Sequence, residues 1–501
     1  MRIGIIGNGF VGKATQIFIK NYYLDADSTS SPTRSEILPA DTAESAETAL
    51  ADSAFRPFFR HEHFTTIDVY IYDIRPEACV PPGIKLEDLD RDCDLLFFCL
   101  PTPLNHDGSC YTRILEYTLS RCKNPFKIIR STVPVGFSAK HGCYFMPEFL
   151  TEANWETDFR QMKEWVVGIG HASSSGSIDN KHNDEFKERI CKLIRTSHRN
   201  GAIYSPTVEF CETNEAEMLK LMKNCFLSAK VSIMNEFYDF CRATHTDYDT
   251  VVTMAKRDAR MGTSHFQVPG PDGRRGFGGT CFPKDTHSLY CQMNAHGVKP
   301  HVYPAILTRN DTHDRPEREW SRDIWRTTIP LPSPTSKIVV VFSDGTGSSA
   351  SSYLMDVVRT NLAKNNVVIL VVRDSDSDVS LPTHHPNLLI KRQTDAGTPL
   401  FFPRVDECYY CAHISDNTYD TMRGVMNIID LWNSHKEMIL YVVKRRVMTI
   451  DESESGTEGF DSDADDAETD TRVWFDYAKI IEEYYHVKYP TNTQMRLVIM
   501  F

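Results

Sequence analysis

The chain opens with Arg2-Ile3-Gly4-Ile5-Ile6-Gly7-Asn8-Gly9-Phe10-Val11-Gly12, the stretch that decides the fold of its first part. The apolar run predicts a β-strand, and three glycines with G-x-G-x-x-G spacing follow it, before a helix that begins near Lys13. Glycines at this spacing permit a tight turn and let a pyrophosphate approach the helix N-terminus. The stretch therefore predicts a dinucleotide-binding βαβ unit.

An acidic residue that binds the adenine ribose is expected roughly 20 residues after these glycines. Residues 24–60 are instead rich in Ser, Thr, Ala, Asp and Pro, and we interpret them as an inserted, mobile segment. The next predicted strand, Val69–Tyr72, ends in Asp73. Asp73 is therefore the ribose candidate; the alternative is a polar residue that merely closes a strand.

Apolar runs that alternate with helical segments continue along the chain and predict a doubly wound parallel sheet up to about Pro206. After a Pro-rich linker at 330–334 a second α/β pattern begins. The fold class is thus α/β, with two Rossmann-like doubly wound domains joined by a central helical domain that contains a long helix. We predict a dinucleotide-binding domain at 1–206, a central domain at 207–328 and a C-terminal domain at 329–501. Predicted strands lie at 94–100, 127–130, 143–146, 165–169, 337–342, 367–372, 408–414 and 438–443, and ordered structure is expected to resume at 473–476 and 497–500.

Composition limits the classes of protein that the chain can represent. A formal net charge of -13 argues against a general nucleic-acid or anionic-membrane binder, and part of it lies in the acidic, serine-rich segment 451–470, which we predict to be a disordered loop. No window approaches 18 uninterrupted apolar residues. The 14 cysteines lack regular spacing, and the first residues run directly into the glycine motif, so a cytoplasmic protein is expected. Cys408, Cys411 and His413 are a weak metal pattern, better explained by strand alternation, and no metal is expected.

Residues 214–241 predict the long helix. Asn214 is a suitable N-cap with Glu217 three positions on, and apolar residues keep helical spacing to about Cys241. Lys220 and Asn224 are four residues apart, so they share one face and could reach one ligand together. Lys220 could equally be a solvated residue paired with Glu217, and the spacing alone favours this second interpretation.

The other informative stretch is Gly276-Phe277-Gly278-Gly279-Thr280-Cys281-Phe282-Pro283-Lys284-Asp285. Its glycines let the backbone approach a ligand, and Pro283 fits the start of a new helix. Cys281 would lie just outside the helix N-terminus, where the dipole favours a thiolate, and Asp285 follows one turn later. The stretch is thus a candidate for covalent catalysis; the alternative is a buried structural cysteine.

Several separated motifs together resemble the UDP-glucose/GDP-mannose dehydrogenase family. The resemblance covers about 1–314 without the insertion, and it is carried by residues in the family's order. These are Gly7-x-Gly9-x-x-Gly12, Pro101-Thr102-Pro103, Ser131-Thr132-Val133-Pro134-Val135-Gly136, Pro147-Glu148-Phe149-Leu150-Thr151-Glu152, Lys220-x-x-x-Asn224, Arg260 and Gly278-Gly279-Thr280-Cys281-Phe282-Pro283-Lys284-Asp285.

The resemblance implies NAD-dependent oxidation of the C6 alcohol of a nucleotide sugar to a carboxylate, with UDP-glucose as the expected substrate and a homodimer or higher homo-oligomer formed through the central helix. Cys281 would hold the aldehyde as a thiohemiacetal and then a thioester, Lys220 and Asn224 would stabilise charge on the C6 oxygen, and Thr132, Glu152 and Asp285 would act on water. Implied cofactor-binding residues are Gly7, Gly9, Phe10, Val11, Gly12, Asp73, Pro101, Thr102, Thr132, Glu152 and Lys284. Implied substrate-binding residues are Glu148, Phe149, Leu150, Lys220, Asn224, Arg260, Phe277, Gly278, Gly279 and Phe282.

Departures from the family pattern cluster in the predicted C-terminal domain. Ser343, Ser348 and Ala350 stand where the family has Lys, Asp and Arg, and the late Phe-Asp-Gly-Arg pattern is reduced to Phe475-Asp476-Tyr477-Ala478. Earlier in the chain, Ala153 replaces a glycine. GDP-mannose and a UDP-N-acetylhexosamine therefore remain alternative substrates. A weakly active protein that binds NAD and a nucleotide sugar for regulation is the alternative of another class.

Overall fold

The computed structural model describes residues 1–19, 67–170, 180–343, 348–373, 385–393, 406–411, 438–443 and 495–500. The predicted segments 24–60 and 451–470, His413 and Phe475-Asp476-Tyr477-Ala478 lie outside the described residues. The chain divides into two compact units, an N-terminal unit (1–101 and 113–220) and a C-terminal unit (102–112 and 221–501). The predicted division into three domains stays a prediction.

The N-terminal unit is built on a seven-stranded sheet in the order β2-β1-β3-β4-β5-β6-β7. Its strands are β1 (Arg2–Ile6), β2 (Asp68–Tyr72), β3 (Leu95–Phe98), β4 (Lys127–Ile129), β5 (Tyr144–Phe145), β6 (Trp165–Ile169) and β7 (Val208–Glu212). Every pairing is parallel except β5 with β6. The chain winds in opposite directions from β1, which places a topological switch point between β1 and β3, where ligands bind at the carboxyl ends of the strands.

Both faces of this sheet are buried, as an α/β fold requires. Ile5 and Phe97 belong to the apolar cluster on one face, whereas Ile6 and Phe98 belong to the cluster on the other. The helices of this unit are α1 (Phe10–Thr15), α2 (Leu86–Asp92), α3 (Arg113–Ser120), α4 (Phe137–Lys140), α5 (Trp155–Arg160) and α6 (Asn180–Arg199). The predicted βαβ organisation is confirmed, although the sheet continues past Pro206 to β7, a strand that the sequence did not predict.

A 31-residue helix, α7 (Thr213–Ala243), starts immediately after β7. The prediction of a long helix is confirmed, but the predicted cap is wrong, because Asn214 already lies inside the helix. Helix α7 begins in the N-terminal unit and continues into the C-terminal unit, which further contains α8 (Tyr248–Ala255), α9 (Phe282–Ala295), α10 (Val302–Arg309) and α11 (Ser348–Ala363). One turn of π-helix, Asn310–Asp314, directly follows α10.

The second sheet has six parallel strands in the order β10-β9-β8-β11-β12-β13. They are β8 (Ile338–Ser343), β9 (Val367–Arg373), β10 (Leu388–Gln393), β11 (Glu407–Cys411), β12 (Met438–Val443) and β13 (Met495–Met500). The two-sheet α/β fold class with a long central helix is therefore confirmed. In this sheet β10 was not predicted, and β13 lies at a stretch that was predicted to be ordered but not assigned as a strand. Among the helices that the structure describes, none has both the length and the apolar character that crossing a membrane requires.

Candidate active site

The glycine loop after β1 has the geometry of a phosphate cradle. Gly7 has a φ of +94°, and a Cβ on Gly12 would overlap the Gly7 carbonyl oxygen, so the chain itself requires glycine at both positions. Around the Cβ position of Gly9, in contrast, no described atom lies within 4 Å. A ligand can therefore approach the backbone at Gly9, beside the start of α1. Phe10 and Val11 form the first turn of this helix and are half-buried.

Asp73 follows β2 and lies against the glycine loop. Its Oδ2 accepts a hydrogen bond from the Asn8 backbone N–H at 2.7 Å, and its Oδ1 accepts one from Arg75 Nε at 3.0 Å. Burial raises the pKa of Asp73, but the hydrogen bonds from Arg75 and Asn8 outweigh burial and lower it below its ordinary value. Asp73 is thus an ionised carboxylate beside the loop, and these residues fit the adenosine end of a dinucleotide.

Lys220 is buried with Glu148 rather than solvated. Its Nζ lies 3.2 Å from Glu148 Oε2, donates to the Glu148 carbonyl oxygen and lies 5.7 Å from the centre of the Phe149 ring. Only 4% of the Lys220 side chain and 7% of the Glu148 side chain are exposed. The interpretation of Lys220 as a surface residue paired with Glu217 is therefore wrong. Glu148 also accepts the Leu150 N–H, which brings three predicted substrate residues to Lys220.

Glu217 has a different partner from the one that its spacing suggested. The backbone N–H groups of Gly136 and Ser138 donate to its carboxylate at 2.6 and 2.8 Å. Glu217 thus joins α7 to the turn after β4, which carries Thr132. Burial raises the pKa of Glu217 to about 6, despite these hydrogen bonds.

Glu217 is expected to make stability depend on pH in the acid range. The folded state binds this proton more tightly than the unfolded chain, in which the pKa of Glu217 is near 4.5. The stabilisation is therefore complete below pH 4.5 and is lost as pH rises through about 6. The change amounts to about 2 kcal/mol. Urea unfolding of the wild type and Glu217→Gln at several pH values checks it. The difference between their unfolding free energies should shift across this window, and a constant difference would contradict the assignment.

Thr132 and Glu152 differ in their surroundings. Thr132 is half-buried in the loop between β4 and α4, whereas Glu152 is exposed in the turn before α5. Pro101 is also exposed, at the end of the first segment of the N-terminal unit.

In the C-terminal unit, Cys281 is the N-cap of α9 and is exposed. Pro283 occupies the first turn, and the Asp285 N–H donates to the Cys281 carbonyl at 2.9 Å, which closes that turn. Among the cysteines whose exposure the structure describes, all others are buried or half-buried. The predicted thiol at a helix start is therefore present, and the alternative of a buried structural cysteine is wrong.

Asp285 is fully buried and holds two neighbouring donors. Asn224 Nδ2 donates to its Oδ2 at 2.6 Å, and Lys284 Nζ donates to its Oδ1 at 2.5 Å. Burial lowers the pKa of Lys284, but the Asp285 carboxylate outweighs burial and raises it, so Lys284 stays protonated. The predicted residues Asn224, Lys284 and Asp285 thus form one charged cluster at the start of α9.

The glycines before Cys281 do not all have the function that the sequence suggested. Gly276 (φ +65°) and Gly278 are packed against the segment after α10, whereas no described atom lies within 4 Å of the Cβ position of Gly279. Asn310 Oδ1 accepts the Phe277 N–H at 2.8 Å. Sequence reasoning missed Asn310, since no motif or spacing relates it to the loop.

The other predicted site residues of this unit range from buried to exposed. Thr102 is buried, Phe277 is 2% exposed and Phe282 is half-buried. The side chain of Arg260 is 89% exposed, and its guanidinium forms an ion pair with Asp258, which is not a predicted site residue.

This α/β chain combines a dinucleotide-type glycine loop with a cysteine at a helix start, a combination expected of a dehydrogenase that uses a covalent intermediate. The comparison with known proteins is consistent with a dehydrogenase. Residues 214–312 match the model of the UDP-glucose/GDP-mannose dehydrogenase family, central domain. The resemblance to that family, and within it to UDP-glucose 6-dehydrogenase, is confirmed by this match and by individual relatives.

The UDP-glucose 6-dehydrogenase of Pseudomonas aeruginosa is 27% identical over 241 residues, which cover 44% of this chain and 49% of the relative. That of Rickettsia bellii is 25% identical over 332 residues, which cover 62% and 67%. A solved UDP-glucose dehydrogenase from Pyrobaculum islandicum aligns with a TM-score of 0.44 at 17% identity, covering 88% of this chain and 93% of that one. The chain spans about half the length of the curated relatives that it matches first.

Proposed function

We propose that this chain is an NAD-dependent nucleotide-sugar 6-dehydrogenase that oxidises UDP-glucose to UDP-glucuronate. The observation that carries the proposal is Cys281, an exposed thiol at the N-cap of α9, one turn from the buried cluster of Asp285, Asn224 and Lys284. A thiol in this position is the group needed to retain an aldehyde between two oxidation steps. The similarity to UDP-glucose 6-dehydrogenases supports the choice of substrate.

The proposed reaction has two oxidations separated by a covalent intermediate. The C6 alcohol first loses a hydride and a proton and becomes an aldehyde. The Cys281 thiolate adds to this aldehyde, and the resulting thiohemiacetal loses a second hydride to give a thioester. Water then cleaves the thioester, which releases the carboxylate and restores the thiol. Bound NAD would supply the chemistry of hydride acceptance, and the loop Gly7–Gly12 with Asp73 would hold it.

Helix α7 would supply the polar donors for the C6 oxygen. Lys220 and Asn224 are one turn apart on this helix, and both are held by carboxylates, Glu148 and Asp285 respectively. Fixed donors of this kind stabilise developing negative charge without reorganising during the reaction. Thr132 and Glu152 would position the attacking water. Phe149, Leu150, Arg260, Phe277, Gly279 and Phe282 would contact the sugar nucleotide.

The direct test is to mix the purified protein with UDP-glucose and NAD and to follow NADH by its absorbance. We expect two NADH for each UDP-glucuronate formed. Parallel reactions with GDP-mannose and a UDP-N-acetylhexosamine rank the alternative substrates. If no nucleotide sugar produces NADH at high concentration, the enzyme hypothesis fails. Calorimetric binding of NAD and UDP-glucose without turnover would then favour the regulatory alternative.

We further propose that the chain forms a homodimer through α7, in the cytoplasm. Five large apolar side chains on this helix are exposed, and their spacing of 4, 7, 4 and 3 residues keeps them on one face. They are Met222, Phe226, Ile233, Phe237 and Phe240. A continuous exposed apolar stripe of this length is typical of a protein interface.

Replacing Phe226 and Phe237 by aspartate is expected to convert the dimer into a monomer, because two desolvated charges would oppose contact between the stripes. Sedimentation velocity measures the change. Arg242→Asp introduces the same charge on the opposite side of the helix and should leave the dimer intact. A double variant that sediments like the wild type would place the interface elsewhere.

A further inference from the structure

The loop before Cys281 is packed onto a buried arginine. A Cβ on Gly278 would lie 2.6 Å from Arg315 Cζ, closer than real Cβ atoms approach any group, and 3.1 Å from Glu319 Oε1, which is a tight contact. Arg315 lies just after the π-helical turn and is 2% exposed. The backbone of Gly278 therefore rests directly on the guanidinium.

This guanidinium is held on three sides and cannot swing away as a surface arginine would. Its Nε donates to the Arg275 carbonyl oxygen at 2.7 Å. Its two terminal nitrogens form ion pairs with Asp272 and Glu319. A planar fork with donors in three directions suits this arrangement, whereas the single ammonium of lysine does not.

We propose that Arg315 is a positioning residue for the active-site thiol. The guanidinium is hydrogen-bonded to the Arg275 carbonyl and packs against the backbone of Gly278. It therefore fixes the backbone of the segment that leads to Cys281, three residues after Gly278. Gly278 is a glycine because Arg315 occupies the space that a side chain would need. The inference rests on the proposed function only in giving Cys281 a catalytic role.

A double-mutant cycle tests the coupling between the two residues. The variants are Gly278→Ala, Arg315→Ala and the double replacement. Their melting temperatures are measured together with the rate at which iodoacetamide alkylates Cys281, followed by peptide mass spectrometry well below the melting temperature. Neither measurement needs turnover.

Gly278→Ala alone should lower the melting temperature by roughly 2–6 °C, because a methyl group is forced into occupied space. It should also slow alkylation about fivefold, because a displaced Cys281 loses the helix N-terminus that stabilises its thiolate. In the Arg315→Ala background the same methyl group should change both quantities much less, because only the tight contact with Glu319 is left. Equal effects of Gly278→Ala in both backgrounds would overturn the proposal.

Gly279→Ala is the matched control. Its φ of +71° strains any side chain, but no described atom lies within 4 Å of its Cβ position, so its effect should be the same with and without Arg315. Arg315→Lys keeps the charge and keeps the fold measurable if Arg315→Ala does not fold. It should slow alkylation, and a wild-type rate would contradict a positioning role. Coupling without NADH formation would reject the proposed function alone, and turnover without coupling would reject Arg315 alone.

Discussion

Replacing Cys281 by serine is expected to lower the rate of UDP-glucuronate formation on the order of 10⁴-fold, as the loss of a catalytic nucleophile does in other enzymes. A thiol is far more acidic and more nucleophilic than a serine hydroxyl, which needs a strong neighbouring base to act as a nucleophile. Asp285, the buried carboxylate on that first turn, is already bonded to Asn224 and Lys284. Serine would therefore add poorly to the aldehyde, and oxidation would stop after the first step. Steady-state NADH formation and separation of the sugar products measure the effect.

A matched substitution exists on the same helix. Cys291→Ser, ten residues further along the chain in α9, replaces a half-buried thiol and should leave turnover within about twofold of the wild type. Calorimetric titration should show that Cys281→Ser still binds UDP-glucose, since the thiol acts on the aldehyde rather than on the nucleotide. Wild-type turnover in Cys281→Ser would remove this residue from the mechanism.

Replacing Lys220 by alanine is expected to reduce kcat/KM by about 10²- to 10³-fold and to destabilise the fold by roughly 3 kcal/mol. The rate should fall because a fixed cation near the C6 oxygen is lost. The stability should fall because Glu148, with 7% of its side chain exposed, is left without its partner. Enzyme kinetics and urea unfolding measure the two losses separately.

A second variant separates these two effects. Lys220→Met combined with Glu148→Gln removes both buried charges, so most of the stability should return while activity stays low. Lys223→Ala removes an exposed lysine from the same helix and should change neither quantity measurably. If the double variant regained activity together with stability, Lys220 would be structural rather than catalytic.

Much of this fold could be predicted because runs of apolar residues along the sequence mark most of its strands. The apolar runs at 165–169 and 438–443 are strands with those bounds. The strand Val208–Glu212 escaped prediction because two glutamates interrupt its apolar pattern, and only pairing along β6 supports it. Leu388–Gln393 escaped for a similar reason, since charged and polar residues end a short apolar run.

The candidate site could be predicted only where its residues are neighbours in sequence. Cys281 and Asp285 are one turn apart, so their proximity followed from spacing. The partner of Lys220 did not follow from spacing. Spacing favoured Glu217, three residues away along the helix, whereas the observed partner Glu148 is 72 residues away in sequence. Arg315 lies 37 residues after Gly278, in a segment without a motif, and only packing relates the two.

In the glycine loop after β1, two glycines are required for folding and the third leaves space for a ligand. Gly7 and Gly12 are required by the chain itself, so a methyl group at either position would oppose folding even without a ligand. At Gly9 the φ of -81° suits any residue and no described atom lies within 4 Å of the Cβ position, so alanine there leaves the folded protein undisturbed. Alanine at Gly7 or Gly12 should thus lower the melting temperature, whereas alanine at Gly9 should weaken dinucleotide binding without lowering the melting temperature.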